Sequence, residues 1–149
     1  MTLGDAIKAR LLAITPLVAL VGQRVFELVL PQNEKRTAVR FFVIGQPRPT
    51  HIRGPVNQFS QRVQVDSYVP IGGLDPLGEV NAIAAAVMGD GLGASATGLA
   101  GWHGTVVESP VAVHIFDVDV TADGQGLVEM DEIRRLRIRQ EYRVHWRLA

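Results

Sequence analysis

Arg135-Leu-Arg-Ile-Arg-Gln-Glu-Tyr-Arg-Val-His-Trp-Arg-Leu-Ala149 closes the chain with a period of two. Leu136, Ile138, Gln140, Tyr142, Val144, Trp146 and Leu148 alternate with Arg137, Arg139, Glu141, Arg143, His145 and Arg147. In a strand this places mostly apolar side chains on one face and polar ones on the other. At about 3.3 Å per residue such a strand runs roughly 45 Å, longer than usual, so the other elements are expected to lie beside or against it.

Residues 127–134 lead into this strand and carry Glu129, Asp131 and Glu132, acids suited to ion pairs with the adjacent basic cluster or with another chain. Residues 105–120 read as strand, with Pro110 marking an edge position or a break. The Gly- and Ala-rich run 89–104 has no period and reads as loop. Before it, Asp75 and Pro76 form a helix start of N-cap plus first-position proline. Leu77, Val80, Ala84, Val87 and Met88 line one side of that helix, Gly89 ends it, and its opposite face is alanine-rich.

Further upstream, strands over 38–44 and 59–69 flank the polar segment 45–58, which is broken by Pro47, Pro49, Gly54 and Pro55 and carries Arg48, His51 and Arg53. This is a hairpin with a long tip, the kind of connection on which binding surface is often placed. Val63 and Val65 face one way, and Arg62, Gln64 and Asp66 the other. Residues 24–30 form a further strand. Leu3, Ala6, Ile7, Leu11 and Ile14 recur at helical spacing over 2–14, and Thr15, Pro16 and Gly22 start and stop a short second helical segment. The order predicts an α+β fold in one domain over 1–149: a mostly antiparallel sheet of about four to five strands packed against two main helices, with long loops.

The chain contains no cysteine, which excludes disulfides and thiolate metal sites. Its net charge is zero, and all its basic residues but Lys8 and Lys35 are arginines, which suit planar, bidentate contacts. The most apolar run, 11–21, is too short to span a bilayer, contains Pro16 and lacks a signal-peptide pattern, so a soluble, unprocessed chain with no membrane partner is expected.

Enzyme and cofactor signatures are weak. Residues 91–96 match an alanine-ended dinucleotide fingerprint, but a helix precedes them and loop follows, the reverse of what that motif needs. No phosphate-binding Gly-Lys-Ser/Thr loop occurs, and Ser95 lacks the second glycine of a nucleophile elbow. His51, His103, His114 and His145 form no metal spacing, and on its strand His114 faces away from Asp117 and Asp119. The remaining constellation is the arginine face of the last strand. It reads either as a solvated sheet face with cross-strand partners such as Asp66, Asp117 or Asp119, or as an interface or channel wall. Direct nucleic-acid binding is disfavoured by neutral net charge and by the lack of interleaved aromatics.

The order of elements resembles the tail-completion, or tail-terminator, family of long-tailed bacteriophages and prophage-like elements. The resembling pieces are the opening helix leading to Leu17-Val-Ala-Leu-Val-Gly22 and Arg24-Val25-Phe26, the strand 38–44, Gln61-Arg-Val-Gln-Val-Asp-Ser-Tyr68 followed by a helix, and the ending Tyr142-Arg-Val-His-Trp-Arg147. The resemblance implies a non-enzymatic structural virion protein without cofactor or metal. It would be a homo-oligomer, a hexameric ring, that caps the tail tube and joins it to the head-tail connector, or neck, protein, with DNA only passing through the lumen. Its place would be the head-tail junction of the virion, after assembly in the host cytoplasm. Arg137, Arg139, Arg143 and Arg147 are then expected at subunit contacts or near the lumen, and Arg48, His51 and Arg53 at a neighbouring ring. The alternatives are another neck or minor tail protein of the same particle, or a small ligand-binding domain.

Overall fold

The opening helix α1, Leu3–Ala13, starts on a reciprocal cap: the Asp5 backbone N–H donates to Thr2 Oγ1 at 3.2 Å, and the Thr2 N–H donates to Asp5 Oδ2 at 2.7 Å. The short helix α2, Thr15–Val21, follows with Pro16 in its first turn; its N-cap is Ile14, which supplies no side-chain bond. The computed structural model describes residues 2–49, 58–91, 96–108, 111–121, 128–130 and 134–148.

Strand β1, Val25–Glu27, is cut short of the expected 24–30 where Leu28 adopts a left-handed φ of 68°. It pairs in parallel with β2, Ala38–Pro49. Strand β3, Phe59–Pro70, returns antiparallel to β2. Helix α3, Pro76–Met88, starts where Asp75 accepts the Gly78 N–H at 3.1 Å and stops at Gly89 with φ 71°. Strands β4, Gly104–Glu108, and β5, Val111–Val120, form an antiparallel pair; β6, Val128–Met130, and β7, Arg135–Leu148, complete the sheet.

The sheet order is β1-β2-β3-β7-β5-β4, with β6 pairing the start of β7 beyond the reach of β5. The expected fold class is therefore corrected: the described chain is mostly strand, in a curled, mixed half-barrel sheet of seven strands with three short helices. The expected sheet of four to five strands against two main helices undercounts for physical reasons. β1 and β6 have three residues each, too few to show a period, and the segment read as a single interrupted strand supplies both β4 and β5. The last strand does occupy the middle, paired along nearly its whole length with β3.

One sheet face carries the core. Val39 and Phe41 of β2, Val63, Val65 and Val69 of β3, Ile115 and Val118 of β5, and Ile138, Tyr142, Val144 and Trp146 of β7 are buried in one cluster with the apolar sides of all three helices. The segment after α3 is irregular yet packed. The Leu99 and Ala100 N–H groups donate to Val87 and Met88 carbonyls at 2.8 and 3.0 Å, Trp102 is buried, and Arg10 Nη2 donates to the carbonyls of Ala96 and Gly98. Gly89 is required there, because a Cβ on it would lie 2.1 Å from the Gly98 nitrogen.

Candidate functional site: the arginine face of the sheet

Directly opposed residues of an antiparallel pair share a face. The register Tyr68↔Arg137, Asp66↔Arg139, Gln64↔Glu141, Arg62↔Arg143 and Ser60↔His145 therefore places the polar side of β3 beside the polar side of β7. Arg40↔Asp66 and Ile44↔Arg62 extend this face to β2, and His114↔Arg147, Asp117↔His145 and Asp119↔Arg143 extend it to β5. No described helix packs on it; the helices lie on the core side.

At one end of the face sits a carboxylate that solvent does not reach. Asp66 is fully buried and accepts from Arg40 Nη2 at 2.5 Å and from Gln64 Nε2 at 2.9 and 3.1 Å, with Arg139 Nε 3.8 Å away. Its cover is guanidinium and aromatic ring: Arg40 lies over Phe42 and Tyr68 at 5.5 and 5.7 Å, and Arg135 over Tyr68 at 4.7 Å. Arg137 is paired with Glu129 of β6 at 2.5 Å and holds that carboxyl below the usual carboxylate range.

The middle of the face is different. Arg62 reaches Glu141 at 3.0 Å, and His145 Nε2 lies 3.6 Å from Asp119. Arg143, exposed, sits between Arg62 and Asp119 in register but forms no ion pair or hydrogen bond among the described residues. Arg147, also exposed, stacks on Phe116 at 5.4 Å. A register shift between Ile115 and Asp117 turns both Phe116 and Asp117 outward, so His114 shares the face of Asp117 and Asp119. The expectation that His114 faces away from the two acids fails for that reason. Among the described residues no three His, Asp or Glu side chains gather as metal ligands; His114 Nδ1 instead meets Thr105 Oγ1 at 2.6 Å.

The four arginines singled out from sequence thus share one face but have unlike surroundings: Arg137 is ion-paired, Arg139 flanks Asp66, Arg147 is stacked and Arg143 is free. Arg48 has its backbone in β2, but its side chain lies outside the described residues, as do His51 and Arg53 entirely. Arg40 and Arg62 were missed as members of the face. Their signal was the cross-strand register, which alternation within one strand cannot supply.

No family model matches the sequence, and no curated protein matches it. A solved structure whose designation names no function aligns over 99% of this chain and 94% of its own, at a TM-score of 0.55 and 16% identity. This is a likeness of fold.

A groove of about 580 Å³ lies between α2 and α3 and is lined by Pro16, Ala19, Leu20, Ala82 and Ala86 among others. Its polar lining is Asp90 and Thr97, and each of these side chains accepts the other's backbone N–H at 3.1 Å. No described helix is long and apolar enough to cross a membrane.

Proposed function

We propose that this chain is a structural protein of a long-tailed phage or prophage-like particle, one subunit of a hexameric ring that caps the tail tube and joins it to the head connector. The reading starts from the family resemblance of the element order and is supported by one observation above the rest. The central strand of the sheet presents Arg139, Arg143 and Arg147 on a face that no described helix of its own chain covers. Arginine is enriched at protein interfaces, and head-to-tail ring closure needs two unlike surfaces on every subunit. A ligand-binding domain would instead need convergent polar groups in a pocket, and the polar groups of the α2–α3 groove are bonded to each other.

The test is native mass with negative-stain imaging of the purified protein, alone and mixed with tail-tube protein. Rings of about six subunits, free or seated on tube ends, are the expected result. A protein that stays monomeric and leaves tube ends bare overturns the proposal.

A further inference from the structure

Between Arg62 and His103 the sequence has no basic residue, while Asp75 and Glu79 stand at the start of α3. That corner, residues 71–79, also presents the largest cluster of exposed apolar side chains close together in sequence among the described residues: Ile71 is 43% exposed, Leu77 52%, and Leu74 packs against nothing. Asp75 is occupied as the helix cap, but Glu79 is exposed and makes no ion pair or side-chain hydrogen bond among the described residues. On the arginine face the imbalance has the opposite sign. Arg62 and Arg143 face each other directly, Glu141 is the only carboxylate among the described residues bonded to either, and beside them lie the half-buried apolar side chains of Phe42 and Ile44.

The two patches cannot meet within one molecule. Pro70, where the corner begins, lies eight residues along β3 from Arg62, a separation of roughly 26 Å at the strand rise. Resting on the ring reading above, we propose that the acidic, leucine-bearing corner 71–79 of one copy docks on the Arg62 and Arg143 face of a second copy. Glu79 would supply the carboxylate that Arg143 lacks, and Leu74 and Leu77 would cover Ile44 and Phe42. The contact is heterologous, one surface against a different one, so each copy keeps a free corner and a free face for the next.

The absence of cysteine gives a clean test. Chains carrying Leu74→Cys are mixed with chains carrying Ile44→Cys, oxidised gently and run without reductant, so that any mixed disulfide reports contact between copies. The mixed dimer is expected to dominate over both like-with-like dimers. Adding Arg143→Glu to the Ile44→Cys chain should lower its yield about tenfold or more, the effect of juxtaposed like charges. Adding Glu79→Arg to the Leu74→Cys chain should then restore it. Absence of the mixed dimer, or a mixed dimer indifferent to both charge changes, overturns the contact. The two readings separate cleanly. Rings seen without the cross-link overturn this contact and keep the ring; a charge-dependent cross-link with no rings and bare tube ends keeps this contact and overturns the cap.

Discussion

On its core side β7 buries Ile138, Tyr142, Val144 and Trp146 and leaves the Tyr142 hydroxyl and Gln140 Oε1 without partners among the described residues; on its other side Arg139 joins Arg40 of β2 and Gln64 of β3 around the buried Asp66, while Arg137 Nε and Arg40 Nε are buried without a partner there. The same strand therefore treats polar atoms in two ways. On the core side they ride along with apolar bulk, and the packing offsets what their desolvation costs. On the arginine side the buried carboxylate is matched by donors, single guanidinium nitrogens are left over, and burial follows because guanidinium groups and rings close over the carboxylate. The difference separates residues that set stability from residues free to set what the sheet meets.

The comparison breaks most readily at Tyr142. Tyr142→Ala should destabilise the protein by about 3 to 5 kcal/mol in urea unfolding, the usual cost of removing a buried aromatic. Tyr142→Phe should be neutral or stabilising by about 1 kcal/mol, because no hydrogen bond is lost and an unmatched hydroxyl is removed. The hydroxyl also has a pH signature. Burial pushes the Tyr142 phenol up from its ordinary value of 10.0. The unfolded chain ionises first as pH rises, so this stability is complete below about pH 10 and is lost above it, by up to about 1.4 kcal/mol per pH unit. Tyr142→Phe should flatten that alkaline loss, and an unchanged slope in the variant would assign the loss to another group.

Asp66 tests the opposite side. Asp66→Ala leaves Arg40 facing a hole, and because Arg40 keeps partial access to solvent the cost should fall at about 3 kcal/mol, the low end for breaking a buried pair. Asp66→Asn keeps acceptor and shape and should cost less. If Asp66→Ala changes the urea midpoint no more than a surface substitution does, the arginine cluster is not held together by its carboxylate.

Much of this was legible in the sequence where a period or a cap carried the signal. The alternation of β7, the Asp75-Pro76 start of α3 and the facing of Val63 and Val65 away from Arg62 all reappear in the fold. What failed had no local signal. Three-residue strands are recruited by their neighbours, as β6 is by β7, and the bulge at Phe116 reverses the facing of His114 relative to Asp117 through pairing that no single strand encodes. Asp66 looked like an exposed partner because alternation gives the face of a residue and not its cover; its burial depends on Arg40 and Arg139, distant in sequence, together with Tyr68 two residues along β3. The candidate site was half legible for the same reason: β7 announced its arginines, and only register added Arg62 and Arg40 and singled out Arg143.

The smallest effect is expected at Arg143 and is the sharpest statement of the contrast. Arg143 stands opposite a like charge, Arg62 on β3, and an unlike one, Asp119 on β5, and makes no ion pair of its own among the described residues, so the two cross-strand effects offset each other. Arg143→Gln, which keeps much of the stem, should therefore leave stability within about 0.5 kcal/mol at low salt. In about 1 M salt, where the screening length shrinks to about 3 Å, any electrostatic change should vanish. Arg62→Gln removes a real pair with Glu141 and should lose about 0.2 to 1 kcal/mol at low salt, the range for exposed pairs. Urea midpoints of the two variants at low and high salt decide the matter. A loss above about 1 kcal/mol for Arg143→Gln, beyond what a surface substitution without partners costs, would make this arginine part of the subunit's own framework. A null or positive result leaves a guanidinium that folding does not need, exposed on the central strand where a second molecule can reach it.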